Sequence, residues 1–183
     1  MNRELLLKEV RKYVSNENLV KHMIATEAIM RALAGRFGQD KDEWGTAGLL
    51  HDIDVEITNA DLAVHGKPGA EMARKLGASE AACHAILTHN ETLGVAFDSL
   101  LDKALYCTDP LTGLITAGAL VRPEKKLAAV EARSIRKRFK EKSFAAGANR
   151  EQIARCSDIG IDLDTFIEIG LDAMKGIAAE LGL

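Results

Sequence analysis

Helical periodicity runs through this chain almost without interruption. Across 183 residues there are only three prolines, Pro68, Pro110 and Pro123. No stretch sustains the alternation of a half-buried strand, and no Asn-Gly pair marks a hairpin. Apolar residues recur instead at spacings of three and four, which places them along one face of a helix. The pattern predicts an all-α fold. Aromatic residues make up only 4% of the chain, so Leu, Ile, Ala, Val and Met must fill its core.

The punctuation divides the chain into elements. A first helix is expected near 2–14. A second spans about 17–37, with Ser15 or Asn16 as its cap and Gly38 just past its end. A third, near 40–52, closes in His51-Asp52, and 53–66 reads as irregular. Pro68 suits the first turn of a helix that stops at Gly77. Ser79 and Glu80 open another, which ends near His89. A longer helix runs from about Asp98 to a break at Asp109-Pro110. Shorter helices follow near 111–120 and 123–139, and the last runs from Leu163 to Leu181. Within it Leu163, Phe166, Ile167, Gly170, Leu171, Met174, Ile177 and Leu181 form an apolar face suited to core packing. The expected organisation is one domain over 1–183, with a core at about 18–115 and a C-terminal helical extension at about 116–183.

Bulk properties exclude several classes of function. The formal net charge is −3, unlike that of a chain built to bind nucleic acid. The segment from Arg122 to Lys142 does hold nine Lys or Arg against three Glu, but its single aromatic residue, Phe139, forms no interleaved series to stack bases. No apolar run approaches the roughly 20 residues needed to span a bilayer. The first residues lack the apolar stretch of a signal peptide. Three cysteines, Cys83, Cys107 and Cys156, form no paired motif and read as reduced thiols of a cytoplasmic protein. Phosphate-binding glycine loops, Cys-x-x-Cys and Gly-x-Ser-x-Gly are absent.

What remains is an ordered set of imidazoles and carboxylates: His22, His51-Asp52, His65, His89 and Asp109. These side chains ligate divalent transition metals without help from cysteine. A lone His-Asp pair carries little weight. The placement carries more, because His22 sits beside an apolar helix face and the others close apolar segments. Buried polar groups there require partners, and a metal ion is one such partner. Each histidine taken singly also fits a hydrogen-bonded helix end.

The order His…His-Asp…Asp resembles the HD-domain superfamily of metal-dependent phosphohydrolases over residues 18–115. Gly48-Leu-Leu-His-Asp-Ile-Asp54 is similar to its central motif, and Tyr106-Cys-Thr-Asp109 to its last aspartate. His65-Gly-Lys-Pro-Gly-Ala-Glu71 and His89-Asn-Glu91 resemble the segments that supply further histidines in two-metal members. The stretch from Asp109 through Gly147 is similar to a poorly characterised bacterial and archaeal subgroup. The resemblance implies an HD-type helical bundle with one ion held by His22, His51, Asp52 and Asp109. In a two-metal form Asp52 bridges to a second ion completed by His65 and His89. The ions implied are divalent transition metals, with Fe or Mn favoured and Zn, Co or Ni accepted. Two departures stand out. Asn90 replaces a second adjacent histidine, and Val55 lies where some members carry a Lys or Glu.

The implied activity is hydrolysis of a small phosphorylated molecule, such as a nucleotide, by metal-activated water. Asp52 and Asp54 are the expected catalytic carboxylates, with Glu56 as a second acid/base candidate beside Val55. Thr26 or Glu27 is the expected partner for the second ring nitrogen of His22. Arg122 is the first candidate for a phosphate contact, and Arg133 and Lys137 share a helix face that could supply others. Two further readings use the same ligands. One is an HD-type diiron oxygenase. The other is a non-catalytic module that binds metal or nucleotide to regulate a partner. Neither the substrate nor the oligomeric state follows from the sequence.

Overall fold

A computed structural model describes residues 2–183. Among these residues there are helices and turns and no strand. The helices are α1 (Arg3–Tyr13), α2 (Glu17–Phe37), α3 (Lys41–Leu50), α4 (Lys67–Lys75), α5 (Glu80–Thr88), α6 (Leu100–Leu120), α7 (Ala132–Phe139), α8 (Arg150–Ala154), α9 (Leu163–Gly176) and α10 (Ala178–Leu181). Short 3-10 turns stand at 91–93, 127–129 and 155–159.

Local chemistry explains most of the boundaries. The side chains of Asn2, Asn16, Asp40 and Ser79 each accept backbone N–H groups at the starts of α1, α2, α3 and α5. Of the two candidate caps for α2, Asn16 does the capping. Gly38 ends that helix in the left-handed region, at φ 65°. Ser99 and Asp102 form a reciprocal capping box at the start of α6.

Three expectations fail for reasons of tertiary structure. Pro110 does not break its helix, and the two helices expected around it are one, α6. A proline in a helix interior leaves the carbonyl four residues earlier without its N–H. Here that carbonyl belongs to Tyr106, and Gln152 Nε2 donates to it at 2.7 Å. The expected helix at 123–139 is replaced by an irregular segment, a 3-10 turn at Leu127–Ala129 and the short α7. The last helix is interrupted at Ile177, and α8 with the turn after it was not anticipated.

The core is built around α2. Val20, Met23, Ile29, Met30 and Leu33 are buried along it. Helices α3, α6 and α9 pack against it. The α2/α3 crossing is close because Gly48 lies there; a Cβ at this position would meet the backbone N of Glu27 at 2.9 Å. The extension joins the same core. Phe166, Ile167, Leu171 and Met174 of α9 are buried within it, as expected for that face. Glu27 is buried beneath α1 and held by Arg3 and Arg31.

Candidate metal centre

Four helices and one loop deliver the six expected ligands to one place. His22 comes from the second turn of α2, His51-Asp52 from the end of α3, and His65 from the loop before α4. His89 caps α5 at its C-terminus, and Asp109 lies midway along α6. Gly66 adopts φ 95° immediately after His65, a backbone state that favours glycine and turns the chain into α4.

The geometry falls into two halves that share Asp52. On one side His22 Nε2 and His51 Nε2 lie 3.0 Å apart. Asp109 Oδ1 is 3.2 Å from His22 Nε2, and Asp52 Oδ2 is 3.5 Å from both imidazoles. On the other side His65 Nε2 and His89 Nε2 lie 3.1 Å apart. Asp52 Oδ1 is 3.2 Å from the first and 3.5 Å from the second. Ligand atoms bound at about 2.0–2.2 Å to one ion stand roughly 3–3.5 Å from one another. The pairs above have that spacing, and His51 Nε2 to Asp109 Oδ1 is slightly longer at 3.8 Å.

Every one of the four imidazoles is anchored through Nδ1. His51 donates to the carbonyl of Gly48 at 2.8 Å, and His89 to that of Ile86 at 2.6 Å. His65 donates to Asp54 Oδ1 at 2.8 Å. His22 donates to Thr112 Oγ1 at 2.7 Å, because that hydroxyl spends its own proton on the carbonyl of Asp109. With the proton on Nδ1, each Nε2 presents a lone pair to the centre. Two such lone pairs 3.0 Å apart repel unless a cation or a proton lies between them. The donor set therefore fits divalent metal, and the outer partners fix the ring orientations in the way metal-ligating histidines require.

Protons compete for the same atoms. Burial disfavours a charged His22, but its hydrogen bonds to Asp109 and Asp52 outweigh that and push it up to about 10. Burial likewise opposes His65, which Asp52 and Asp54 push up to about 10. For His51 burial outweighs the attraction of Asp52 and Asp109 and pulls it down to about 4. Asp52 is held well below the usual carboxylate range, burial notwithstanding, by the imidazoles around it.

The centre opens on one side. The side chains of Asp109 and His22 are 28% and 23% exposed, whereas His51 is fully buried. His65 and His89 are almost fully covered.

Several expected roles are relocated. Asp54 is completely buried behind His65; its Oδ2 accepts the N–H groups of Gly66 at 2.8 Å and Gly69 at 3.0 Å. It faces no open space, so a catalytic proton transfer does not fit its position. Glu56 accepts from Ser15 and Asn16 at the start of α2. The partner of His22 is Thr112, not Thr26 or Glu27; Thr26 instead donates to the carbonyl of His22. Asn90, where a further histidine was sought, donates to the carbonyls of Leu62 and His65 and ties down the loop that carries His65. His84 stands apart, against Asp98 and Asp102.

The basic candidates are not at the centre. Arg122 lies just beyond the end of α6, thirteen residues from Asp109, or about 20 Å along the helix. Arg133 is solvent-exposed and pairs with Glu131, and the exposed Lys137 lies on the same short helix. Arg122 is near Asp109 in sequence, but the continuous α6 carries it away, and Arg133 and Lys137 lie on α7.

This fold and site define a helical protein whose clustered imidazoles and carboxylates could hold divalent metal. Residues 19–130 match the HD domain family. The chain belongs to that family. It is 27% identical over 169 residues to Ribonuclease Y of Geobacter sulfurreducens, covering 91% of this chain and 32% of that protein. Ribonuclease Y of Clostridium kluyveri is 28% identical over 168 residues, covering 90% of this chain and 32% of the relative. The chain thus spans about a third of the length of these relatives. Its fold is similar to the HD domain of the Listeria monocytogenes phosphodiesterase PgpH, with a TM-score of 0.53 and 14% identity over 94% of this chain and 98% of that one. The same domain in complex with cyclic-di-AMP gives a TM-score of 0.54. Among the described residues no helix is long and apolar enough to cross a membrane.

Proposed function

We propose that this chain is a metal-dependent phosphohydrolase that holds two divalent ions and cleaves a phosphoester bond in a small molecule. The observation that carries this reading is the divided carboxylate of Asp52, whose Oδ2 faces His22 and His51 while Oδ1 faces His65 and His89. His22, His51, Asp52 and Asp109 would hold one ion. Asp52, His65 and His89 would hold the other. Divalent ions in such a site supply Lewis acidity toward phosphoryl oxygens and make water acidic enough to attack. Mixed nitrogen and oxygen donors suit Fe or Mn, and also Zn, Co or Ni.

The protein's own groups account for the remaining requirements. Asp52 and Asp109 offset cationic charge. The Nδ1 anchors hold the imidazoles without rearrangement. The exposed edges of Asp109 and His22 set the side from which the substrate arrives. Hydrolysis forms a bond from the oxygen of water to phosphorus and breaks the ester P–O bond, and the proton from water ends on the leaving oxygen. Asp54 acts as a positioning residue for His65. The names of the Ribonuclease Y relatives and the PgpH phosphodiesterase domain support phosphoester chemistry. With a net charge of −3, the chain is read as acting on a small phosphorylated molecule rather than a nucleic acid.

Metal content by mass spectrometry tests the reading. Wild type should carry about two ions per chain, His65→Ala one, and Asp52→Ala fewer than one, with phosphoesterase activity lost in the last. Two ions retained in Asp52→Ala would overturn the assignment. Two ions with oxygen consumed and no phosphoester cleaved would favour the oxygenase, and tight nucleotide binding without turnover the regulatory module.

A further inference from the structure

A cleft of about 640 Å³ lies beside the metal centre, and His22, one of the two partly exposed members of that centre, is the candidate ligand among its lining residues. His22 and Thr112 form its inner end. From there one face of α6 runs outward as Thr112, Gly113, Thr116, Ala117 and Leu120, continuing at helical spacing the face on which Asp109 lies. From Asp109 to Leu120 this stripe is about 16 Å long. The start of α2 forms a second wall, and Ala145 to Ala148 form another. That loop is held by Arg150, which donates to the carbonyls of Ala145, Phe144, Ala148 and Phe139.

The lining has a particular chemistry. It contains no Phe, Tyr or Trp and no acidic side chain, and its one ring is the imidazole of His22 at the inner end. Its one lysine, Lys21, forms no salt bridge among the described residues, with Nζ near Gly182. A nucleobase would find no Phe, Tyr or Trp to stack on, and the one ring, His22, is engaged with Thr112. An aliphatic group would find small and apolar walls along the length of the cleft.

We infer that this cleft is the subsite for the organic part of the substrate, and that the substrate is a phosphoester of an extended aliphatic group whose phosphate sits at the His22–Asp109 edge. The inference rests on the phosphohydrolase reading for its chemistry but not for its binding. The cleft selects by length, because each methylene that enters leaves water for an apolar wall.

The test uses metal-loaded protein and n-alkylphosphonates, which carry the phosphoryl group on a carbon that water cannot displace. Calorimetric titration from methyl to octyl should show affinity rising roughly two- to fourfold per methylene until the cleft is filled. A Cβ at Gly113 meets nothing within 4 Å, so a larger side chain there projects into the cleft without disturbing the core. Gly113→Phe should therefore flatten the chain-length dependence, and Ala117→Leu should shorten the length at which it levels off. Affinity independent of chain length in wild type would overturn the subsite, as would tighter binding of nucleoside phosphonates than of octylphosphonate. Length-dependent binding together with no hydrolysis of the matching alkyl phosphates would support the subsite while sinking the phosphohydrolase. Hydrolysis without length dependence would do the reverse.

Discussion

Replacing Gly48 by alanine adds one methyl group at the point where α3 crosses α2. An alanine in a helix interior ordinarily stabilises by about 1 kcal/mol relative to glycine. Here the added Cβ would stand 2.9 Å from the backbone N of Glu27 and 3.0 Å from its Cα. Those atoms are main chain in the middle of a long helix and cannot swing aside. Ordinary contact begins at 3.4 Å, so the helices must part by roughly half an ångström. Overpacking of this kind costs about 1–3 kcal/mol, and a backbone neighbour places it toward the upper end. Set against the propensity gain, the net loss is about 1–2 kcal/mol. For a chain of this size the melting temperature should fall by roughly 2–8 °C. The shift also reaches the metal centre, because the carbonyl of Gly48 accepts from His51 Nδ1. The half formed by His22, His51 and Asp109 should bind metal more weakly than the half formed by His65 and His89. Thermal denaturation with and without chelator, paired with metal stoichiometry, reads both effects. Gly176→Ala serves as control, since a Cβ there meets nothing within 4 Å. A Gly48→Ala protein as stable as wild type, with both ions retained, would refute the close-packing argument.

Asp54→Asn should preserve folding but lose the charged acceptor of His65 Nδ1. Affinity for the second ion should drop roughly 10–100-fold, with the first unaffected, by competition against a chelator. Gln152→Ala should strand the carbonyl of Tyr106 opposite Pro110. Denaturant unfolding should show a loss of about 1–3 kcal/mol, and no loss would mean that water serves the carbonyl equally well. Metal binding must displace protons from His22 and His65, both pushed up to about 10. Affinity should therefore fall as pH drops from about 10 toward 6, by up to two logarithmic units per pH unit, with proton release in calorimetry. A pH-independent affinity over that range would show that these imidazoles carry no proton there and would refute the raised values.

The order of the helices and most of their limits were legible in the chain. Asn16 and Gly38 bracket α2, and Ser79 opens α5, because capping is settled by atoms within a turn of the boundary. The six imidazoles and carboxylates that cluster at the centre were also legible, as chemistry-bearing residue types in the order that resembles the HD family. The apolar face of α9 declared itself through its spacing. Each of these signals depends on near neighbours or on residue type alone.

Other features depended on partners that no local window contains. Pro110 lies within a helix because Gln152, 46 positions from Tyr106, fills the missing hydrogen bond. Thr112 orients His22 from 90 positions away. Asp54 was read as a catalytic carboxylate by its nearness to Asp52, yet the turn after α3 sends it behind His65 and away from open space. Arg122 follows Asp109 by thirteen residues and still lies about 20 Å along the chain's helical rise from it, because α6 continues unbroken to Leu120. Sequence alone thus determined which groups exist, and the propensities and periodicities that make them helical. The tertiary structure decided which ring nitrogen faces inward, which carboxylate oxygen faces which imidazole, and where the centre opens, since these depend on contacts between residues distant along the chain.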